Sequence, residues 1–236
     1  GYILAPGRDF CVSFNAAEHL RITVQRAGLS VSKCVREAGA YDERLNANAR
    51  YAFNATFGHL TGVIQHSGTG MAAGCTMHLP VLTLLGTVPE IQKRLQKSGV
   101  SLEPLFPGSA AAHGSMYRLM NRYSFGITEA ELERQLTDIA ETITKMESEA
   151  REEYCFENAE SMRDSVLRSL GTAERALFLD HAEALDIVSR LRLGIILSFI
   201  KGPMKRAGES LLTLSREMLE IEHGAPFSGG READRY

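Results

Sequence analysis

The sequence predicts a mixed fold of the α/β (α+β) class, a sheet-and-helix part followed by a wholly helical part, and three observations carry this. Residues 20–25, LRITVQ, alternate apolar Leu20, Ile22 and Val24 with polar Arg21, Thr23 and Gln25, the period of a half-buried strand with Arg21 on the wet face. Thr128 and Glu131 form a capping box ahead of Leu132, Leu136, Ile139, Ile143, Met146 and Ala150, which recur at alternating steps of four and three. Beyond Cys155 strand-prone runs cease and Leu, Ala, Glu and Arg dominate. A soft boundary near residue 155 therefore divides the chain into parts 1–155 and 156–236.

The remaining elements follow in order. Residues 2–5 and 10–14 are short β-prone pieces divided by Pro6 and Gly7, as at a hairpin or sheet-edge bend. Ser30 offers a polar cap to a helical stretch running to about Asn54, with Val35, Leu45 and Phe53 among its apolar positions. Residues 81–98 read as a helix that Pro89 kinks or restarts. Residues 100–106 and 116–123 are the next strands, joined by the soft loop PGSAAAHG. The helix after Thr128 packs its apolar seam on the domain's own sheet, since the repeat falls short of four heptads. Asp180 and Glu183 repeat the capping logic before Ala184, Leu185, Ile187, Val188 and Leu191, and Gly202 and Pro203 break the chain ahead of a last helical stretch, 209–221.

Composition bounds the function. At 236 residues, 44% of them hydrophobic, the chain can build one substantial core or one domain with a smaller helical one. A net charge of -3 and 23% charged residues give no electrostatic reason for a nucleic-acid or membrane partner. Cys11, Cys34, Cys75 and Cys155 lack metal-ligand or disulfide spacing and read as small hydrophobes in a reducing, cytoplasmic compartment. The apolar run 193–200 is too short to span a bilayer. The start, GYILAPGRDF, has no initiator Met and no signal-peptide order, so the sequence reads as a fragment or processed form.

Residues 58–80, GHLTGVIQHSGTGMAAGCTMHLP, hold a Gly-Thr-Gly turn at Gly68, Thr69 and Gly70, then small residues and an apolar run ending in His78, Leu79 and Pro80. A phosphate-cradling P-loop would need Lys and Ser or Thr after the last glycine, where Met71, Ala72 and Ala73 stand. By spacing alone the segment reads more readily as a tight turn between two strands than as a phosphate-binding loop.

Together with residues 15–21, NAAEHLR, this stretch resembles the catalytic domain of the ATP:guanido phosphotransferases, the phosphagen kinases, and within them the bacterial protein-arginine kinases. Asn15, His19, Leu20 and Arg21 match the family segment N-E-E-D-H-L-R. Gly68, Thr69, Gly70, Ala73, His78, Leu79 and Pro80 match C-P-T-N-x-G-T-G-x-R-A-S-x-x-x-H-L-P. Similarity continues through MYRLMN (116–121) and residues 168–197. The resemblance implies an antiparallel sheet flanked by helices, phosphoryl transfer from magnesium-ATP to a guanidinium, an acidic residue that deprotonates the acceptor, and arginines that neutralise the triphosphate.

The matched positions depart from that chemistry. The two glutamates are Ala16 and Ala17, the second being the expected base, and the following Asp is Glu18. The Cys-Pro pair is Val63 and Ile64, and the arginine after G-T-G-x is Ala72. A third segment, R-G-x-Y-G-E-G-S-E-A-x-G-N, aligns with residues 103–115 through Ala112 and Gly114. It puts Glu103 at a phosphate-binding arginine, and Gly108 and Ala111 at the glutamates. The vacant catalytic positions are thus Ala17, Ala72, Glu103 and Ala111. Arg21 remains, with Ala73, Gly74, Cys75 and Thr76, as the remnant of a nucleotide site. Arg231, Asp234 and Arg235 lie where the protein-arginine kinases carry an R-D-x-x-R-A phosphoarginine pocket, with Asp234 alone in register.

The resemblance and these losses imply a pseudokinase that acts by protein binding, toward an arginine kinase, its activator or a Clp-type protease system. No cofactor is expected, and a homodimer is compatible with the sequence. The alternative is an active ATP-dependent protein-arginine kinase whose missing groups come from upstream or from a partner, with Glu18 as base. A third option is a sensor that binds a guanidinium or nucleotide without turnover. His19 and His78 read as structural histidines or as ligand contacts. His59 with His66 does not have the spacing of a metal site, and no base is placed beside Ser67 or Thr69.

Overall fold

The computed structural model describes residues 1–5, 7, 9–16, 18–107 and 112–214. Strands β1 (Tyr2–Leu4), β2 (Phe10–Phe14) and β3 (Leu20–Val24) form an antiparallel sheet in that order, where β-propensity placed the first two and alternation the third. Val12 is buried in its middle strand, and Arg21, opposite Ser13, is exposed as its position in the alternation predicts.

Helix α1 (Val31–Asn46) follows, and it ends eight residues before the expected Asn54. Asn48 donates its side-chain amide to the Arg44 carbonyl at 3.1 Å, satisfying one of the last-turn carbonyls outside the helical ladder. The aromatics beyond it serve a hairpin, β4 (Phe53–Asn54) with β5 (Gly58–His59). The Tyr51 and Phe53 rings meet the His59 ring edge-on at 5.8 and 5.3 Å. Ser30 is the residue before the helix, yet its hydroxyl donates back to the Ala27 carbonyl and caps nothing.

Strands β6 (Gly74–His78), β7 (Val100–Pro104) and β8 (Met116–Asn121) form a second sheet in the order β6-β8-β7. Backbone bonds from Leu79 to Ser115 and from Asn121 to Ala73 pin β6 on β8. Those from Leu105 to Met116 and from Arg122 to Gly99 pin β7, and both pairings are antiparallel without a bulge.

Between β6 and β7 the expected long helix is two: α2 (Pro80–Leu84) and α3 (Val88–Leu95), then a 3-10 turn Gln96–Ser98. The restart expected at Pro89 occurs, α3 opening on Val88 with Pro89 in its first turn, and Gly86 at φ 68°, where a side chain would be strained, lies in the break before it. Pro80 and Pro89 both sit in first turns, where no amide hydrogen is missed.

Helix α4 (Glu129–Arg175) is 47 residues long and kinks at Asn158, so the boundary expected near residue 155 falls inside it. The capping box forms: the Thr128 amide donates to the Glu131 carboxylate at 2.9 Å, and the Glu131 amide to the Thr128 hydroxyl at 3.3 Å. Its inward stripe differs from the expected seam. Leu132, Leu136 and Ile143 are buried, but Ala140 and Glu147 complete the stripe while Ile139, Met146 and Ala150 are half-buried. A 3.6-residue helix carries its face away from a strict 3.5-residue repeat.

Helix α5 (His181–Ile196) opens on Asp180, which accepts the Glu183 amide at 2.7 Å as its capping pattern predicts. Helix α6 (Met204–Thr213) starts directly after Pro203, five residues before the expected Glu209. Residues 215–221 of that expected stretch lie outside the described residues.

Two compact units result. The first comprises Gly1–Cys75, Gln92–Leu102 and Leu119–Ile143, and the second comprises Thr76–Ile91, Glu103–Arg118 and the chain from Thr144. In the second, Val81, Met162 and Leu193 form one core cluster, and Met116, Leu185 and Leu211 another. Among the described residues no helix is long and apolar enough to cross a membrane.

Candidate functional site

In the first unit, Asn15, Ala16, Glu18 and His19 lie in the turn between β2 and β3, and Leu20 and Arg21 open β3. Asn15 adopts φ 51°, which asparagine tolerates better than most residues. Its amide donates to the His19 carbonyl at 3.0 Å, and the Ala16 amide to the Glu18 carbonyl at 3.1 Å. His19 and Arg21 are exposed. Ala17 lies outside the described residues, as do Gly108, Ala111, Arg231, Asp234 and Arg235.

Glu18 faces inward and is 14% exposed. One carboxylate oxygen accepts the Gly62 amide at 2.8 Å, and the other lies 3.3 Å from the His66 Nδ1. The Gly62 amide, helped by His66 and opposed by burial, holds the carboxyl below the usual glutamate value. Both oxygens are engaged and basicity is lowered, the reverse of what a general base needs. Glu18 instead ties the β2–β3 turn to residues 61–66.

The backbone around Ala72 is held from β8 and the loop after it. Asn121 accepts the Ala73 amide at 2.8 Å and donates to the Met71 carbonyl at 3.0 Å. Ser124, fully buried, donates to the same carbonyl at 2.8 Å. No local sequence pattern marks Ser124 or Asn121 beyond a polar side chain at or just past the end of a strand. Ala72 is exposed and offers no donor beyond its backbone. At Gly74 an added Cβ would lie 2.0 Å from the Leu119 carbonyl oxygen, so the strands close where any side chain would stand. Burial pushes the Cys75 thiol up, away from a reactive thiolate.

Thr76 and Glu103 are exposed on β6 and β7, and the register places Arg118 of β8 opposite both. Arg118 escaped the sequence reading because no local pattern identifies it; only strand pairing sets it beside Glu103. The row Thr76, Arg118, Glu103 therefore carries one cation and one carboxylate.

The other candidates are hydrogen-bonded to neighbouring groups. His78 lies 2.8 Å from the Ser189 hydroxyl. The amide of His59 bonds the Gly68 carbonyl and its carbonyl accepts the Gly68 amide. Ser67 lies 3.3 Å from the Thr61 hydroxyl, and Thr69 accepts the Met71 amide. Among the described residues no group of three His, Cys, Asp or Glu side chains could hold a metal.

An open hollow of about 310 Å³ adjoins the Gly-Thr-Gly turn, lined by uncharged residues including Phe57, Gly58, Gly68, Thr69, Ser124 and Phe125. A neighbouring one of about 560 Å³ carries Arg134 against Glu131 and Asp138. A magnesium nucleotide brings several negative charges that need fixed cations. The residues present at these positions do not fit that group.

The chain matches the ATP:guanido phosphotransferase C-terminal catalytic domain over residues 1–150, and the protein-arginine kinase McsB C-terminal domain over residues 159–224. It is 29% identical over 211 residues to a protein-arginine kinase of Clostridium acetobutylicum, covering 89% of this chain and 62% of that protein. It is 28% identical over 233 residues to one of Bacillus cereus, covering 98% and 66%. It thus spans about two thirds of the length of these relatives. The duplicated taurocyamine kinase of Schistosoma mansoni, solved with bound transition-state-analogue components, shares the fold with a TM-score of 0.53 at 20% identity, over 63% of this chain and 20% of that one. Fold and segment order define a domain of the phosphagen-kinase type. The chain belongs to the ATP:guanido phosphotransferase family.

Proposed function

We propose that this protein is a catalytically degenerate relative of the protein-arginine kinases, working in the cytoplasm through protein binding or regulation. The observation that carries the reading is the state of the acidic site. Ala16 and Ala17 replace the two glutamates, and Glu18, the carboxylate left beside them, is bound by the Gly62 amide and His66. Ala72 and Glu103 remove cations where a triphosphate would need them, and the hollow beside the turn has an uncharged lining. Losing one such donor commonly costs about 100-fold to 1000-fold in rate, and groups that act together leave little catalysis when lost together. By family resemblance the partner is an arginine kinase, its activator or a Clp-type protease system, and no cofactor is needed. The test is calorimetry with magnesium-ATP, with binding weaker than about 100 μM, roughly 5.5 kcal/mol, as the expected result.

A second reading, an active ATP-dependent protein-arginine kinase, draws support from Arg118, a cation beside Glu103. It requires phosphoarginine on an arginine-containing substrate protein incubated with the full chain and magnesium-ATP, lost in Arg118→Ala and Glu18→Ala. Under the first reading no phosphoarginine forms in any of the three.

A further inference from the structure

The hollows beside the Gly-Thr-Gly turn form one groove of the first unit, because Phe125, Gly126 and Ile127 line both. Three aromatic residues stand open along it: Phe57, Tyr123 and Phe125 are 52%, 48% and 53% exposed, and the Phe57 and Phe125 ring centroids lie 6.3 Å apart. Exposed rings gathered together and rimmed by polar side chains mark a surface that another molecule covers. Between them the floor is bare backbone. Gly126, at φ 74°, has open space where a side chain would stand, and the Phe125 and Gly126 amides donate to no described residue. An extended chain can approach closely there and pair its carbonyls with those amides.

The charge at the α4 end sets the sign of the occupant. Glu131 accepts the Thr128 amide and hydroxyl on one carboxylate oxygen, at 2.9 and 2.7 Å, and its other oxygen has no partner among the described residues. The Asp138 carboxylate and the Arg134 guanidinium line the same end, and neither closes an ion pair among the described residues. Two carboxylates thus face one guanidinium, and residues 129–141 carry five carboxylates against that single arginine. A cationic side chain suits both parts of the groove at once, its stem along the rings and its head on the carboxylates, whereas an acidic segment meets like charge.

We propose that this groove binds an extended basic segment of a partner protein, its cationic side chains over Tyr123 and Phe125 and its apolar ones against Phe57. The inference rests on the protein-binding reading above and names the chemistry of the partner.

The probe is a fluorescein-labelled peptide of alternating leucine and lysine, titrated with the full chain and followed by anisotropy. Lysine in place of arginine keeps phosphoryl transfer to a guanidinium out of the readout. Two analogues, with glutamate for lysine and with serine for leucine, are run beside it. The leucine-lysine peptide is expected to bind about tenfold tighter than either analogue, and less tightly as sodium chloride rises. Phe125, Arg134 and Asp138 are exposed, so their substitution leaves the core intact. Phe125→Ala and Asp138→Asn should each weaken binding about fivefold or more. Arg134→Gln should strengthen it about twofold or more, because it removes the one cation from the lining. Phe156→Ala, at a residue 92% exposed in the second unit, should leave it unchanged. The proposal is overturned if the glutamate peptide binds as tightly, if Phe125→Ala and Asp138→Asn both keep full affinity, or if Arg134→Gln weakens binding. Absence of peptide binding with no phosphoarginine formed removes the groove and leaves the protein-binding reading standing. Phosphoarginine on a substrate protein removes that reading, and with it the partner role assigned to the groove.

Discussion

Glu18 stands where a base would be sought and behaves as a tether. Glu18→Gln should cost about 1 kcal/mol, the worth of a charge-assisted bond to a half-exposed loop. Because its folded pKa is depressed, its contribution is complete above the ordinary glutamate value of 4.5 and is lost as pH falls through the lower folded value. Urea midpoints of wild type and variant should differ at about pH 7, and the gap should close as pH falls through and below the lowered Glu18 value. Gly74 makes a sterner demand. Gly74→Ala sets a methyl 2.0 Å from the Leu119 carbonyl oxygen, so β6 or β8 must move, at an expected cost of about 2 kcal/mol or more in chemical denaturation.

Among the elements, α2 depends on a carboxylate 65 to 66 residues away in sequence. Glu147→Ala leaves two buried amides without an acceptor and should cost about 2–3 kcal/mol in equilibrium unfolding. Glu147→Gln keeps one acceptor oxygen and sheds a charge that burial disfavours, so it should cost less. This dependence also marks what the sequence could disclose. Strands β2 and β3, the Thr128 box and the Asp180 cap were legible because each is set by residues within one or two turns. Glu147 was not, since an acid in an acidic helix resembles a solvated one until its partners are placed. The end of α1 was misjudged because Ala and Arg continue a helical composition past Asn46, and only the His59 contacts recruit Tyr51 and Phe53 elsewhere. The losses at Ala72 and Glu103 could be read from ordered segments, whereas Arg118 needed the pairing of three strands.

At the scale of the whole molecule, the C-terminal helices are part of a core that also holds a strand. Leu211 is fully buried with Met116 and Leu185, and Asp186 accepts the Gly114 amide at 2.7 Å with His113 at 3.7 Å. Leu211→Ala should therefore destabilise by about 2–5 kcal/mol, measured by chemical denaturation, far more than a dispensable terminal helix would allow.

The order β6-β8-β7 has a consequence for synthesis. The central strand of that sheet is the last of the three to leave the ribosome, so β6 and β7, with the apolar Met77, Val100 and Leu102, emerge before the strand that pairs with both exists. A nascent chain paused before residue 116 holds two apolar ribbons awaiting a template, which is the interval in which a chaperone would find it and self-association would compete.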